Sequence, residues 1–203
     1  MSARPRVVVA TGNAGKLREI REILADAPLA FVGLDVAGAV AFPDEGDSYR
    51  ANALAKARAA ASQLGLPAVA DDSGLEVAGL DGGPGAHSAR YGGPSLDDAG
   101  RVAHLLAALG DSSGAARKAC FVCWAAVAMP DGREWSAEGR CAGAIAATPR
   151  GTGGFGYDPV FLLPQHDRVM AQIPAAEKNR ISHRARAFRA LRAEILEAVG
   201  TAD

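Results

Sequence analysis

Alternating strand-like and helix-like segments predict an α/β protein built on a mixed sheet. Three stretches carry that reading. A β-branched, apolar run at residues 6–10 passes directly into helical spacing from Ala14. An alanine-rich segment at 49–64 is followed by the apolar stretch "PAVA". Two strand-like runs flank Pro130-Asp131-Gly132, as in an antiparallel hairpin, so the sheet is expected to be mixed rather than all parallel.

In chain order, the first strand at 6–10 is followed by a helix with apolar positions at Leu17, Ile20, Ile23 and Leu24, and Pro28 lies just past its end. "FPDEGDS" at 42–48 is an acidic turn. "YRANALAKARAAASQL" has the propensity of a helix, stopped by Gly65 and Pro67. "PAVA" is a short strand running into "DDSG". Residues 79–94 carry too much Gly and Pro for regular structure. Ser95 with Asp98 resembles a capping box for a helix reaching about Leu109. The hairpin follows, and then a second glycine-rich loop, "TPRGTGGFGYDPVF", entering a short strand. A last helix is expected after Ser182, to about Val199, with Ala185, Phe188, Leu191, Ile195 and Leu196 facing inward.

The 203 residues suffice for one domain with a real core, and 49% of them are apolar. A net charge of −1 provides no global pull toward nucleic acid or an anionic membrane. No apolar stretch approaches the roughly 20 residues that span a bilayer, and the N-terminal residues run into the first strand without a separate leader core. Three cysteines, an odd number, argue against a disulfide framework, so the cytoplasm is the expected compartment. Cys120 and Cys123 fall on opposite faces of a predicted strand, and with only Cys141 besides, no four-ligand zinc set is in view.

"VVVATGNAGKLREI", Val7 to Ile20, has the outline of a phosphate loop. It is not a P-loop: Gly12 and Gly15 are too close together, and Leu17 after the lysine has no hydroxyl for a metal. What remains is a helix start with outward N–H groups, plus Lys16 in the first turn, where a cation is out of place unless it meets an anion. A plain turn with an exposed lysine is the competing reading. "AVADDSGLEV" sets Asp71 and Asp72 at the end of a short strand. Adjacent carboxylates point in different directions there, and such oxygen ligands suit magnesium; a simple Asx turn is the alternative. "GTGGFGYDP" combines glycines that admit close backbone approach with aromatics that can stack on a base. "EKNRISHRARAFR" brings Lys178, His183 and Arg184 around Ser182, while Arg186, Arg189 and Arg192 fit a solvated helix face. His104 is expected to be structural.

Taken together and in order, "VVVATGNAGKLREI", "NALAKA", "ADDSGLEV", "PGAHSARYGG", "GGFGYDPVF" and "EKNRISHRARA" resemble the inosine triphosphate pyrophosphatase family, the Ham1-like enzymes whose bacterial members are dITP/XTP pyrophosphatases. The resemblance runs from about residue 7 to 197. It implies that residues 1–203 form one two-lobed domain, with an elongated mixed sheet flanked by helices and a nucleotide cleft between the lobes. It also implies a homodimer acting on purine nucleoside triphosphates, not on nucleic acid or membranes, with Mg2+ as cofactor.

By motif, the resemblance assigns Thr11, Gly12, Asn13, Ala14, Gly15 and Lys16 to the triphosphate. Asp72 would activate water and bind the metal, with Asp71 in support and Ser73 touching substrate. Phe155, Gly156, Tyr157 and Asp158 would form the base pocket, with Phe155 stacking. Lys178 would reach phosphate or base, and His183 and Arg184 would face the base edge. One departure stands out. The family often places a metal-binding glutamate before "NA", where this chain has Ala51; Glu45, Asp47 or a water would have to replace it. Two other readings are a Maf-like triphosphatase, whose serine-rich motif "TGNAGK" does not match, and a nucleotide-binding protein without hydrolysis.

Overall fold

The computed structural model describes residues 4–200. Residues 1–3, part of the stretch read as having no leader, lie outside them, as do 201–203. The elements are β1 (Arg6–Val9), α1 (Ala14–Ile23), β2 (Ala30–Val32), α2 (Leu34–Ala37), α3 (Tyr49–Leu64), β3 (Ala68–Val77), β4 (Pro84–Gly85), α4 (Asp98–Leu109), β5 (Lys118–Ala128), β6 (Glu134–Ile145), β7 (Phe161–Leu163), β8 (Arg168–Val169), α5 (Ala175–Ile181), α6 (His183–Ala190) and α7 (Arg192–Gly200). The sheet order is β2-β1-β3-β5-β6-β7-β8, with β4 added to β3. β1 pairs in parallel with β2 and β3, whereas β4 on β3, β7 on β6 and β8 on β7 are antiparallel. The expected mixed α/β class is therefore the observed one.

The chain divides into two compact units, one of Met1–Asp72, Cys123–Gly139 and Arg184–Asp203, the other of Ser73–Val122 and Arg140–His183. In the first unit, strand alternation sends side chains to two covered faces. Val7, Val9 and Val69 pack with Ile20 of α1, with Leu24 at its end, and with Phe188, Leu191 and Ile195 of the C-terminal segment. Val8, Ala68 and Ala70 pack instead with Ala53, Ala57, Ala60 and Ala61 of α3. Small side chains on both sides let α3 lie close to the strands. α3 starts where Ser48 accepts a hydrogen bond from Ala51 N and stops at Gly65, whose φ of 64° is left-handed, so both of its predicted ends hold.

The second unit packs Leu75 and Val77 with Val102, Leu105 and Leu109 of α4, and with Phe121, Phe161, Leu163 and Tyr157.

Four expectations need correction. β3 does not end before the aspartates; it continues through them to Val77, because β4 pairs with its far half at Leu75 and Glu76. The cap of α4 is Asp97, which accepts from Gly100 N at 2.8 Å, and not Ser95. The final helix is divided at Leu191 into α6 and α7, although the bonds Leu191 N→Ala187 O and Ile195 N→Leu191 O carry the ladder across. Ahead of it lies α5, a helix that the sequence pattern had not separated and that carries Lys178.

Candidate active site

β1 delivers the chain into the turn at Thr11–Asn13. Thr11 Oγ1 accepts from Asn13 N, and Asn13 Oδ1 caps α1 by accepting from Lys16 N at 3.0 Å. Asn13 is thus a cap. Gly12 is exposed, and a side chain there would meet no atom within 4 Å, so the backbone at this turn is open. Lys16 does not project into solvent: its ammonium lies 3.1 Å from Asp71 Oδ2.

Asp71 and Asp72 follow the alternation of β3. Asp71 shares the side of Val69, toward α1 and α6; Asp72 shares the side of Ala70, toward α3. Asp71 Oδ2 receives Lys16, and also Arg184 Nε and Nη2 at 3.2 and 3.0 Å. Arg184 Nη1 donates to Glu19 Oε2 at 2.6 Å. Burial works against the Asp71 carboxylate, but Lys16, Arg184 and Lys56 outweigh it and hold its carboxyl well below the usual range. Burial likewise opposes the Arg184 cation, and Asp71 and Glu19 more than restore it. Among the described residues, Asp71 Oδ1, equally buried, has no hydrogen-bond partner. Cys123 Sγ lies 3.8 Å from Asp71 Oδ2; burial, then that carboxylate, pushes its thiol pKa upward, so it is an inert packing residue.

Asp72 is held by α3. Asn52 Nδ2 donates to Asp72 Oδ2 at 2.8 Å, and Lys56 Nζ lies 3.3 Å from Oδ1. Asn52 also clasps Gly46, accepting from its N–H and donating to its carbonyl. Lys56 Nζ lies 2.8 Å from Glu45 Oε1 as well, so one ammonium sits against two carboxylates. Burial disfavours that ammonium, but Asp72, Asp71 and Glu45 together raise its pKa. Glu45, one of the two acids weighed against Ala51, thus shares a partner with Asp72.

In the second unit, Phe155 N donates to Asp158 Oδ2 at 2.9 Å, and Lys178 Nζ donates to the same oxygen while lying 4.9 Å from the centre of the Phe155 ring. A side chain at Gly154 would run into the Asp158 carboxylate, and φ there is +73°, so glycine is required. Tyr157 is 5% exposed, and its hydroxyl donates to Ser88 O at 2.9 Å; burial raises its pKa. Tyr157 is therefore an anchor whose ring belongs to the core, while Phe155 is only half buried. His183 is buried with its ring stacked on Phe121 at 4.7 Å. Ser73 is half buried on β3. Arg186 and Arg189 are exposed as expected, and His104 packs edge-on to Tyr91.

The structure thus brings together Lys16, Asp71 and Arg184 in the first unit, and Phe155, Asp158 and Lys178 in the second. Sequence reading missed Glu19, Asn52 and Lys56. Their spacing offered a signal: Glu19 falls one turn after Lys16, and Asn52 and Lys56 share one helix face four residues apart.

The chain as a whole can be placed by what it resembles. The sequence model of the Ham1 family matches residues 7–194, and the chain belongs to that family. A dITP/XTP pyrophosphatase of Streptomyces avermitilis is 49% identical over 96% of this chain and 99% of its own length. The structure of a HAM1 protein from Coxiella burnetii superimposes with a TM-score of 0.83 at 40% identity, covering 95% of this chain and 99% of that one. That of a nucleoside-triphosphatase, or dITP/XTP pyrophosphatase, from Mycobacterium abscessus gives 0.72 at 42% identity, covering 93% and 98%.

Proposed function

We propose that this protein hydrolyses triphosphates of deaminated purines (ITP, dITP and XTP) to the monophosphate and pyrophosphate, clearing them from the nucleotide pool. The observation that carries this reading is the split of Asp71 and Asp72 to opposite sides of β3: Asp71 pairs with Lys16 and Arg184, while Asp72 is held toward α3 by Asn52 and Lys56. The near-full-length similarity to proteins named dITP/XTP pyrophosphatases supports the same reaction.

The first unit would handle phosphates and water. The turn from Thr11 to Lys16 presents open backbone to the triphosphate, and Lys16, held 3.1 Å from Asp71, would add its positive charge there. Asp72, with Asn52 fixing Oδ2, orients or deprotonates the water that adds across the α–β anhydride; the water oxygen stays on one product and the bridging oxygen leaves with the other. The donor set fits Mg2+. Asp72 and Glu45 already share one cation, the Lys56 ammonium, and both are oxygen donors. Among the described residues no three His, Cys, Asp or Glu side chains form a ready cage, so phosphate oxygens and waters would complete the shell, as magnesium favours. When bound, the metal neutralises charge on the phosphates.

The second unit would take the base. Phe155 stacks on it, and Asp158 and Lys178 fix that ring's surroundings. Ser73 touches substrate. His183 is assigned to the base edge by the family resemblance; so is Arg184, a residue of the first unit fixed by Asp71 and Glu19. Donors aimed at a 6-oxo group would be left unpaired by adenine, which is costly; guanine must be rejected through its 2-amino group. We further assign the protein to the cytoplasm as a homodimer acting on free nucleotides. Among the described residues no helix is long and apolar enough to cross a membrane.

The test is pyrophosphate release from ITP, XTP, GTP and ATP with and without magnesium. Release from ITP and XTP only with metal is expected. Release from none of them, or equal release from ATP, overturns the assignment.

A further inference from the structure

The segment that carries Phe155 is rich in glycine, and Gly151, Gly154 and Gly156 have φ of +74°, +73° and +61°. Such a chain has much freedom to lose, so whatever fixes it fixes the Phe155 ring. Part of the fixing is internal, through Asp158. Gly153 N donates to Ala171 O at 3.0 Å, and Tyr157 is tied to Ser88 O. Between these ties, at the residue directly after Phe155, the amide of Gly156 donates to Asp98 Oδ2 at 2.7 Å. Asp98 lies 58 residues away in sequence.

Asp98 is the first residue of α4, but it is not that helix's cap. Asp97 does the capping, and this leaves the Asp98 carboxylate to face outward. Its Oδ1 is steadied by Arg101 Nη1 at 3.3 Å, and its Oδ2 meets the loop amide. A bond from an amide to a carboxylate is stronger than a neutral one. The helix dipole favours an acid at Asp98, and the same carboxylate also reaches across to a loop distant in sequence.

We propose that Asp98 is a positioning residue for nucleotide binding: through the Gly156 amide it holds the Phe155 ring in place for the base. This rests on the functional reading above. It adds a residue that touches neither phosphate nor base and acts on base affinity alone.

The experiment compares wild type, Asp98→Ala and Asp98→Asn in steady-state pyrophosphate release from ITP, with inorganic tripolyphosphate as an inhibitor that reports on the phosphate end only. For Asp98→Ala, KM for ITP is expected to rise about 3- to 10-fold, the loss of one exposed charge-assisted bond. Its kcat is expected to stay within about twofold, and tripolyphosphate inhibition to be unchanged. Asp98→Asn keeps an acceptor oxygen and should recover most of the KM. An unchanged KM in Asp98→Ala overturns the proposal. So does a loss shared equally by ITP and tripolyphosphate, which would mark a general structural role. Should Asp98→Ala not fold, Asp98→Leu takes its place with the same expectations: an unchanged KM for ITP, an equal rise in the tripolyphosphate inhibition constant, or a loss in kcat alone overturns the proposal. If wild type releases no pyrophosphate from ITP, the functional reading itself fails and the proposal falls with it; wild-type turnover with an unaffected variant removes only the role of Asp98.

Discussion

Arg184 meets Asp71 with two donors on a single oxygen, Nε at 3.2 Å and Nη2 at 3.0 Å, both side chains almost fully buried. Lys16 reaches that same oxygen. A buried carboxylate held this way is poorly tolerated as anything else, because its removal leaves uncompensated buried cations. Asp71→Asn is expected to lose about 3 kcal/mol of stability at neutral pH. Burial opposes the ionised form, but the cations dominate, so the folded carboxyl titrates below its ordinary 3.8. Its stabilising contribution is complete above that value and is lost as pH falls through the folded value. Urea denaturation at pH 7 and in steps below pH 4 should therefore show the gap between wild type and variant closing with acid. A gap that stays constant would contradict the assigned ion pairs.

Asp72 faces the other way, and its substitution should separate chemistry from binding. Asp72→Asn is expected to reduce turnover of ITP by about a hundredfold or more, the range of a lost general base. Nucleotide binding should change only a few-fold, measured by equilibrium titration. Full activity in this variant would remove the base assignment.

Asn52 links three groups, Asp72 Oδ2 and both backbone polar atoms of Gly46. Asn52→Ala leaves the buried Asp72 Oδ2 without this donor, at about 1–3 kcal/mol, and frees the exposed Gly46 backbone to water. We expect faster hydrogen exchange at the Gly46 amide and a fall in kcat, as the acidic turn and the carboxylate lose their common clasp. Unaltered exchange at Gly46 would show that the turn is held by other contacts.

Lys16 should act on charge. Lys16→Met is expected to weaken binding of ITP far more than that of IMP, since the triphosphate carries more negative charge for the ammonium to offset. Equal losses for both would contradict a phosphate role.

Glu45 shares the Lys56 ammonium with Asp72, and Asp47 lies exposed in the same turn. Glu45→Ala is expected to raise the magnesium concentration needed for half-maximal rate, and to weaken magnesium binding in calorimetry. Asp47→Ala should leave both near wild type. No change in either variant would mean that water fills the place opposite Ala51.

Much of this protein was fixed locally. The limits of α3 follow from Ser48 and Gly65, whose cap geometry depends only on neighbours in the chain. The opposed directions of Asp71 and Asp72 follow from the two-residue period of any strand. The motifs that announce phosphate and base chemistry are contiguous stretches, so they can be read in order without a structure.

The partners are another matter. That Asp71 answers to Lys16 and Arg184, and Asp72 to Asn52 and Lys56, depends on which helix covers which side of β3. The Arg184 bonds span 113 residues to Asp71 and 165 to Glu19, and no local pattern encodes such distances. β3 continues past its aspartates where β5 lies beside it and β4 returns to pair with Leu75 and Glu76. Strand ends, burial and ion pairing are set by groups remote in sequence whose cost or gain exists only once water has been excluded around them, so the tertiary structure alone decided them.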